Sequence, residues 1–294
     1  FDVVATPRSE EDVQKVLDRG QAHAVVRVLP GFGRDLARGR PTEVQVLLDG
    51  TNSNTASLVS AYAASVIQMF SADQLGIRPA ADVDTRTRVW FNPELRSRNY
   101  FVPGVAANIL LMITFMLTAQ AIIREKETGT MEQLMVTPMR PIDLMIGKTL
   151  PFAMVGMIDM LLITAGALLI FHVPFRGNFL LLVFCAALFL MTALGAGLFL
   201  STISQTQQQA NMMSFFFTTP AFMLSGFTFP IRNMPTVVQY LTFLNPLRYF
   251  MEIVRGVFLK GAGVPVLWPQ MVYLAVYGVV ILGLSAARFR KKLD

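Results

Sequence analysis

Residues 124–148 read REKETGTMEQLMVTPMRPIDLMIGK, a charged segment between two stretches each long and apolar enough to cross a bilayer. Thr130 followed three residues later by Gln133 is a capping box, in which hydroxyl and amide each satisfy an open backbone group at the start of a helix. Met131, Leu134 and Met135 then share one helical face, with Glu132 and Gln133 beside them. Pro138 ends that turn, since its ring and missing N–H do not fit a helix interior. Pro141 suits the first position of a second short helix, and Gly147 is placed to close it. The spacing predicts an exposed helical elbow over 131–146.

Composition fixes the class of the surrounding chain. Hydrophobic residues make up 53% and charged residues 15%, against roughly 45–50% and about 25% in soluble domains. The chain reads as a polytopic α-helical membrane protein. Runs of about 20 apolar residues predict five spans, at 101–123, 149–171, 178–201, 211–229 and 268–287. Residues 1–98 hold 12 basic and 12 acidic residues, so the net charge of +6 arises wholly in the remainder. The predicted division is a soluble domain over 1–98 and a transmembrane domain over 99–294. A basic excess at membrane edges speaks of topology and anionic headgroups, with no nucleic acid partner implied.

Orientation follows from the basic clusters. Arg124, Lys126, Arg140 and Lys148 flank the first two spans on one side, and Arg288, Arg290, Lys291 and Lys292 follow the fifth. Positive charge is retained in the cytoplasm, which puts the elbow and the C-terminus there and residues 1–98 outside. A folded domain needs an export signal to get outside, so a sixth span before Phe1 is expected. Within 1–98, strand-like stretches at 1–5, 23–29, 43–49 and 88–91 alternate with helical ones at 9–19, 32–38 and 54–70, which predicts an α/β domain with a small mixed sheet. DGTNSNTA at 49–56 reads as a turn and cap for the long helix, or as an anion site at its N-terminus.

The elbow resembles the first cytoplasmic loop of the membrane subunits of type-two ATP-binding-cassette exporters. The resemblance is carried by Glu125, Lys126, Glu127, Gly129, Thr130, Glu132, Gln133, Leu134, Pro138 and Gly147-Lys148. DGTNSNTA, with FNPELRSRNYFVPG at 91–104, is similar to the bacterial multidrug-type branch. The resemblance implies a permease of the inner membrane that dimerises with a second permease chain. Its partners would be cytoplasmic ATPase subunits, with room for a periplasmic adaptor. It also implies that Glu127, Gly129, Thr130, Glu132, Gln133, Pro138, Arg140 and Pro141 couple the chain to the ATPase. ATP and Mg would be bound by that partner.

Catalytic motifs agree with a non-enzymatic subunit. A phosphate-cradling loop has the form G-x-x-x-x-G-K-[ST]; Gly147-Lys148-Thr149 supplies its end, but Ile142 stands where the first glycine belongs. There is no H-E-x-x-H and no G-x-S-x-G. His23 and His172 have no acidic or cysteine neighbours at ligand spacing, and no metal site is expected. Cys185 is alone, so no disulfide framework exists within one chain.

The span candidates carry few polar groups. Asp159 sits near the centre of 149–171, where charge costs about 2.5–3.5 kcal/mol on insertion scales. It either lines a pathway or bonds Thr164 or a neighbouring helix. Phe216, in the run Phe215–Phe217, belongs either to an aromatic substrate box or to the lipid-facing surface. Ala193, Gly195 and Gly197 permit close helix approach. In 226–266, Asn245 is an N-cap and Pro246 a first helical residue, while Arg248, Glu252 and Arg255 sit at ion-pair spacing. Helices over 231–260 would anchor at the outer interface or, as the resemblance of LNPLRYFMEIVRG to a re-entrant segment implies, close the outer end of a pathway.

These observations predict an exporter permease for a hydrophobic or amphipathic substrate such as a drug-like molecule or lipid. The alternative is a mechanotransmitting membrane protein that acts on an extracytoplasmic partner without moving substrate.

Overall fold

The structure, a computed structural model, describes residues 3–7, 9–38, 40, 42–75, 83–129 and 141–290. The chain divides into two compact units, Phe1–Tyr100 and Phe101–Asp294.

In the first unit α1 (Glu10–Asp18) is capped by Ser9, whose hydroxyl accepts from Asp12 N. It is followed by β1 (Ala24–Val28), α2 (Phe32–Ala37), β2 (Thr42–Asp49), α3 (Ser53–Leu75) and β3 (Val83–Trp90). The sheet order is β1-β2-β3, with β1 antiparallel and β3 parallel to β2. Alternation along β2 decides the layers. Leu47 packs with Val13 and Leu17 of α1 on one face, and Val46 and Leu48 pack with Ala63 of α3 on the other. No strand forms at Val3–Ala5, where Val3 and Val4 are 83% and 65% exposed. Their apolar pattern alone does not make a strand without a neighbour to pair with.

In the second unit the long helices are α4 (Ser97–Glu127, which begins in the first), α5 (Pro141–Leu169), α6 (Phe179–Ile203) and α10 (Val264–Arg290). These four are long and apolar enough to cross a membrane. The span expected at 211–229 is shorter. Helix α7 runs from Gln207 to Met223, 17 residues, or about 25 Å at 1.5 Å per residue. Apolar sequence continues to Phe229, but Gly226 takes a φ of +78 and turns the chain. A second correction concerns the elbow. Pro141 does open a helix, yet Gly147 does not close it, and α5 continues through Pro151. A proline inside a span is tolerated because neighbouring helices can satisfy the freed backbone groups. The remaining elements are a 3-10 turn at Ile231–Asn233, α8 (Thr236–Thr242) and α9 (Pro246–Arg255), the last continued by a π-turn at Gly256–Lys260 that ends at Gly261, φ +65.

The core of this unit is where α6 meets α9 and α10. Phe189 stacks on Phe250 at 4.2 Å between centroids, and both are fully buried. Small residues set the close approaches. A side chain at Gly197 would place its Cβ 2.9 Å from the Phe115 carbonyl oxygen of α4, and one at Gly195 would meet Ile281 and Leu282 of α10.

Candidate functional site

The roots of the elbow are tied together. Glu125 near the end of α4 forms an ion pair with Lys148 in α5. Gly129, φ +73, follows the helix end in the left-handed conformation that glycine adopts without strain. Thr130, Glu132, Gln133, Pro138 and Arg140, the centre of the predicted coupling contact, lie outside the described residues; Pro141 is the first residue of α5.

Glu127 makes a contact that local spacing does not disclose. Its Oε1 accepts from the backbone N–H of Gln207 at 2.8 Å, and its Oε2 accepts from the Gln207 side-chain amide. Gln207 is the first residue of α7, where an N–H has no partner within the helix and the helix dipole favours negative charge. Thr206 completes the cap by accepting from Gln209 N at 3.2 Å. The two bonds from Gln207 hold the Glu127 carboxyl below the usual glutamate range. One turn or so further along, Gln120 of α4 donates to Asn211 of α7.

At its other end α7 is held by Asn245. The Asn245 Oδ1 accepts from Leu247 N at 3.1 Å and caps α9, while its Nδ2 donates to the Ala221 carbonyl of α7 at 2.6 Å. The turn carrying Asn245 and Pro246 is deeply set. Tyr277, the central residue of α10, donates through its hydroxyl to the Phe243 carbonyl at 2.6 Å, and Tyr249 donates to the same oxygen at 3.0 Å. Both bonds fasten the Phe243 backbone to the tyrosines of α9 and the middle of α10. The segment 231–260 therefore packs against the bundle through α8, the Asn245 turn and α9.

A charged side chain as buried as that of Arg248 must be compensated. Arg248 donates to Thr242 Oγ1 at 2.6 Å, pairs with Glu252 at 3.7 Å and lies over the Phe243 ring at 4.3 Å. Glu252 also accepts from Gln270 of α10 at 3.0 Å. Arg255, grouped with these by spacing, donates to the Gly226 carbonyl at 3.4 Å and lies over Phe227. These groups join α9 to its surroundings.

Against this turn lies a cavity of about 560 Å³. Leu241, Leu244, Asn245 and Pro246 form one end. The walls are Leu111 and Phe115 of α4, α6 from Thr192 to Ile203, Phe217 to Leu224 at the end of α7, and Ile281 and Leu284 of α10. The wall residues of α6 and α10 lie toward Ile203 and Arg290, so the cavity occupies that half of the bundle and the Asn245 turn closes one end of it. The polar lining residues are Thr192, Thr218 and Asn245, and none of the described lining residues is ionisable.

Of the predicted pathway residues, Asn245 and Pro246 reach this cavity. Phe216 is 77% exposed, and it is Phe217 that lines the wall. Asp159 does not line it. Its Oδ2 is buried without a hydrogen-bond partner among the described residues, and Thr164 bonds Met160 sulfur at 3.8 Å instead. Among the described residues no cluster of His, Cys, Asp and Glu is arranged to hold a metal.

Comparison with known proteins bears on the whole chain. The family profile described as "ABC-2 family transporter protein" matches residues 1–287. The "Probable multidrug ABC transporter permease YbhS" of Escherichia coli (strain K12) is 33% identical over 299 residues, covering 100% of this chain and 79% of that protein. The "Probable multidrug ABC transporter permease YbhR" of the same strain is 30% identical over 294 residues, covering 100% and 80%. The "Inner membrane transport permease YhhJ" is 28% identical over 292 residues, covering 96% and 77%.

Proposed function

The chain belongs to the ABC-2 family of transporter proteins, and from that premise we propose that it is the permease of an ATP-driven exporter for hydrophobic or amphipathic molecules. Two permease chains work with two separate ATPase subunits in a bacterial inner membrane. The elbow and the C-terminus face the cytoplasm, and the α/β unit faces outward, as the basic clusters at 124–148 and 288–292 favour. Drug-like molecules fall within the substrate class, in keeping with the word multidrug in the names of the relatives.

The observation that carries this reading is the double attachment of α7. Glu127 ties its first residue to the root of the elbow, and Asn245 ties its last turn to the roof of an apolar cavity. ATP-driven closure of the ATPases pushes the elbows together. Glu125 and Lys148 make α4 and α5 move as one, and Glu127 passes the displacement to α7. Movement of α7 pulls on the Asn245 turn, which opens the cavity outward. Catalysis remains with the ATPase, and this chain supplies the gate.

The test is reconstitution of the permease with its ATPase in proteoliposomes, with accumulation of a fluorescent apolar dye as readout. ATP-dependent flux that falls at least tenfold in Asn245→Ala, with ATP hydrolysis retained, is expected. ATP-dependent rearrangement of the α/β unit with no flux of any substrate would replace export with mechanotransmission to an extracytoplasmic partner.

A further inference from the structure

The cavity opens sideways. Ile203, Phe217, Leu244 and Leu284 line it and are exposed on the surface of the chain as well, so a molecule dissolved in the bilayer reaches it without passing through the bundle. Ile281, Leu284 and Arg288 follow one another at spacings of three and four along α10 and share one face. A helical side chain lies over the turn before it, which places Arg288 next to Leu284 at the edge of the cavity. The contact with α6 agrees: the Arg288 guanidinium carbon lies 5.9 Å from the centre of the Phe199 ring, another residue of the wall. Arg288 is exposed and enters no ion pair among the described residues.

We infer that the cavity takes an anionic amphiphile from the cytoplasmic leaflet, with its apolar tail between the walls and its phosphate or carboxylate head on Arg288. A volume of about 560 Å³ lies within the span of roughly 300–1,000 Å³ for small-molecule sites. The described lining residues are apolar but for Thr192, Thr218 and Asn245, and none is ionisable. A charge drawn inside would find no counter-charge, so the head stays at the edge, where a guanidinium meets phosphate or carboxylate through paired N–H donors. An arginine that served orientation alone would do so from any face of α10. This one stands on the face that lines the cavity. The substrate class rests on the export reading, which assigns this end of α10 to the cytoplasm, and narrows it by charge.

Three fluorescent probes with one tail and different heads separate the cases: pyrenedodecyl phosphate, pyrenedodecanol and pyrenedodecyl-trimethylammonium. They are titrated against the purified permease–ATPase complex in phosphatidylcholine nanodiscs and corrected for partition into empty nanodiscs. The phosphate is expected to bind about tenfold tighter than the alcohol, the range of one hydrogen bond to a charged group, and the ammonium no tighter than the alcohol. In Arg288→Gln, a change at an exposed position, the phosphate falls to the affinity of the alcohol while the alcohol is unchanged. Arg288→Lys keeps the charge and retains part of the preference. Ala196→Trp in the wall and Leu284→Trp at the exposed edge each fill the cavity and abolish binding of all three probes. If both tryptophan variants bind the probes as before, the cavity is not the site and the export reading of it fails as well. If the tryptophans block binding but the three heads bind alike, or the phosphate keeps its advantage in Arg288→Gln, the anionic inference alone is overturned. Phosphatidylglycerol added to the nanodiscs competes with the phosphate probe if the natural head belongs to a membrane lipid, and leaves it unaffected if the ligand is a single-tailed amphiphile. Inorganic phosphate has no tail and should not compete; competition by it would overturn the part given to the cavity.

Discussion

Glu127 caps a helix that begins at Gln207, 80 residues further along the chain, by accepting both its backbone N–H and its side-chain amide. The contact places one end of α7 under the control of whatever moves residues 124–148.

Replacing Glu127 by alanine removes both acceptors and leaves the first N–H of α7 to water. The expected result is normal membrane insertion with ATP hydrolysis that no longer responds to substrate, read as loss of at least fivefold stimulation in the reconstituted complex. The pH dependence follows from the depressed pKa. A carboxyl with a lowered folded-state pKa supports its contact above its unfolded value and loses it as pH falls through the folded value. Coupling should therefore be level from pH 8 down to about 5. A decline beginning near neutrality would mean that Glu127 is not the group that matters.

Gly197 should tolerate no side chain. Its Cβ would approach the Phe115 carbonyl to 2.9 Å and Thr118 Cβ to 2.8 Å, and overpacking of this kind costs about 1–3 kcal/mol. Gly197→Val is expected to lower the thermal unfolding midpoint of the detergent-solubilised protein by several degrees. Gly166, whose Cβ would meet nothing within 4 Å, serves as the control, and Gly166→Ala should leave the midpoint where it was.

Asp159 has a buried oxygen without a donor among the described residues, a setting in which a charged carboxylate is costly. Asp159→Asn should insert, fold and transport as the parent does, because an amide keeps the size and removes the charge. A loss of transport with folding intact would show instead that the carboxylate itself participates in the pathway. Both wild-type flux and wild-type stability in Asp159→Leu would remove any polar role at that position.

Sidedness can be checked in a Cys185→Ser background. Ser97→Cys and Gln208→Cys, both at exposed positions, should label oppositely with a membrane-impermeant thiol reagent applied to cells with a permeabilised outer barrier. Position 97 should react and position 208 should stay protected. The reverse pattern would place the elbow away from any cytoplasmic ATPase.

Local chemistry wrote much of this molecule into its sequence. Hydropathy marked the four long helices, and the caps at Ser9, Asn178 and Asn245 are short polar side chains immediately before their helices. The order of strands and helices from α1 to β3 was legible for the same reason, since period and punctuation are properties of neighbouring residues. Apolarity, however, reports burial and not helix. Residues 224–229 are as apolar as a span, yet the Gly226 turn ends α7 before them. In the other direction, Gly147 reads as a stop but sits in a helix that continues to Leu169. The functional geometry lies further from local signals still. Glu127 with Gln207, and Asn245 with Ala221, become partners only when α4, α7 and α9 are brought side by side. Sequence fixes what each segment can bury or bond, but which partner it meets depends on helix packing.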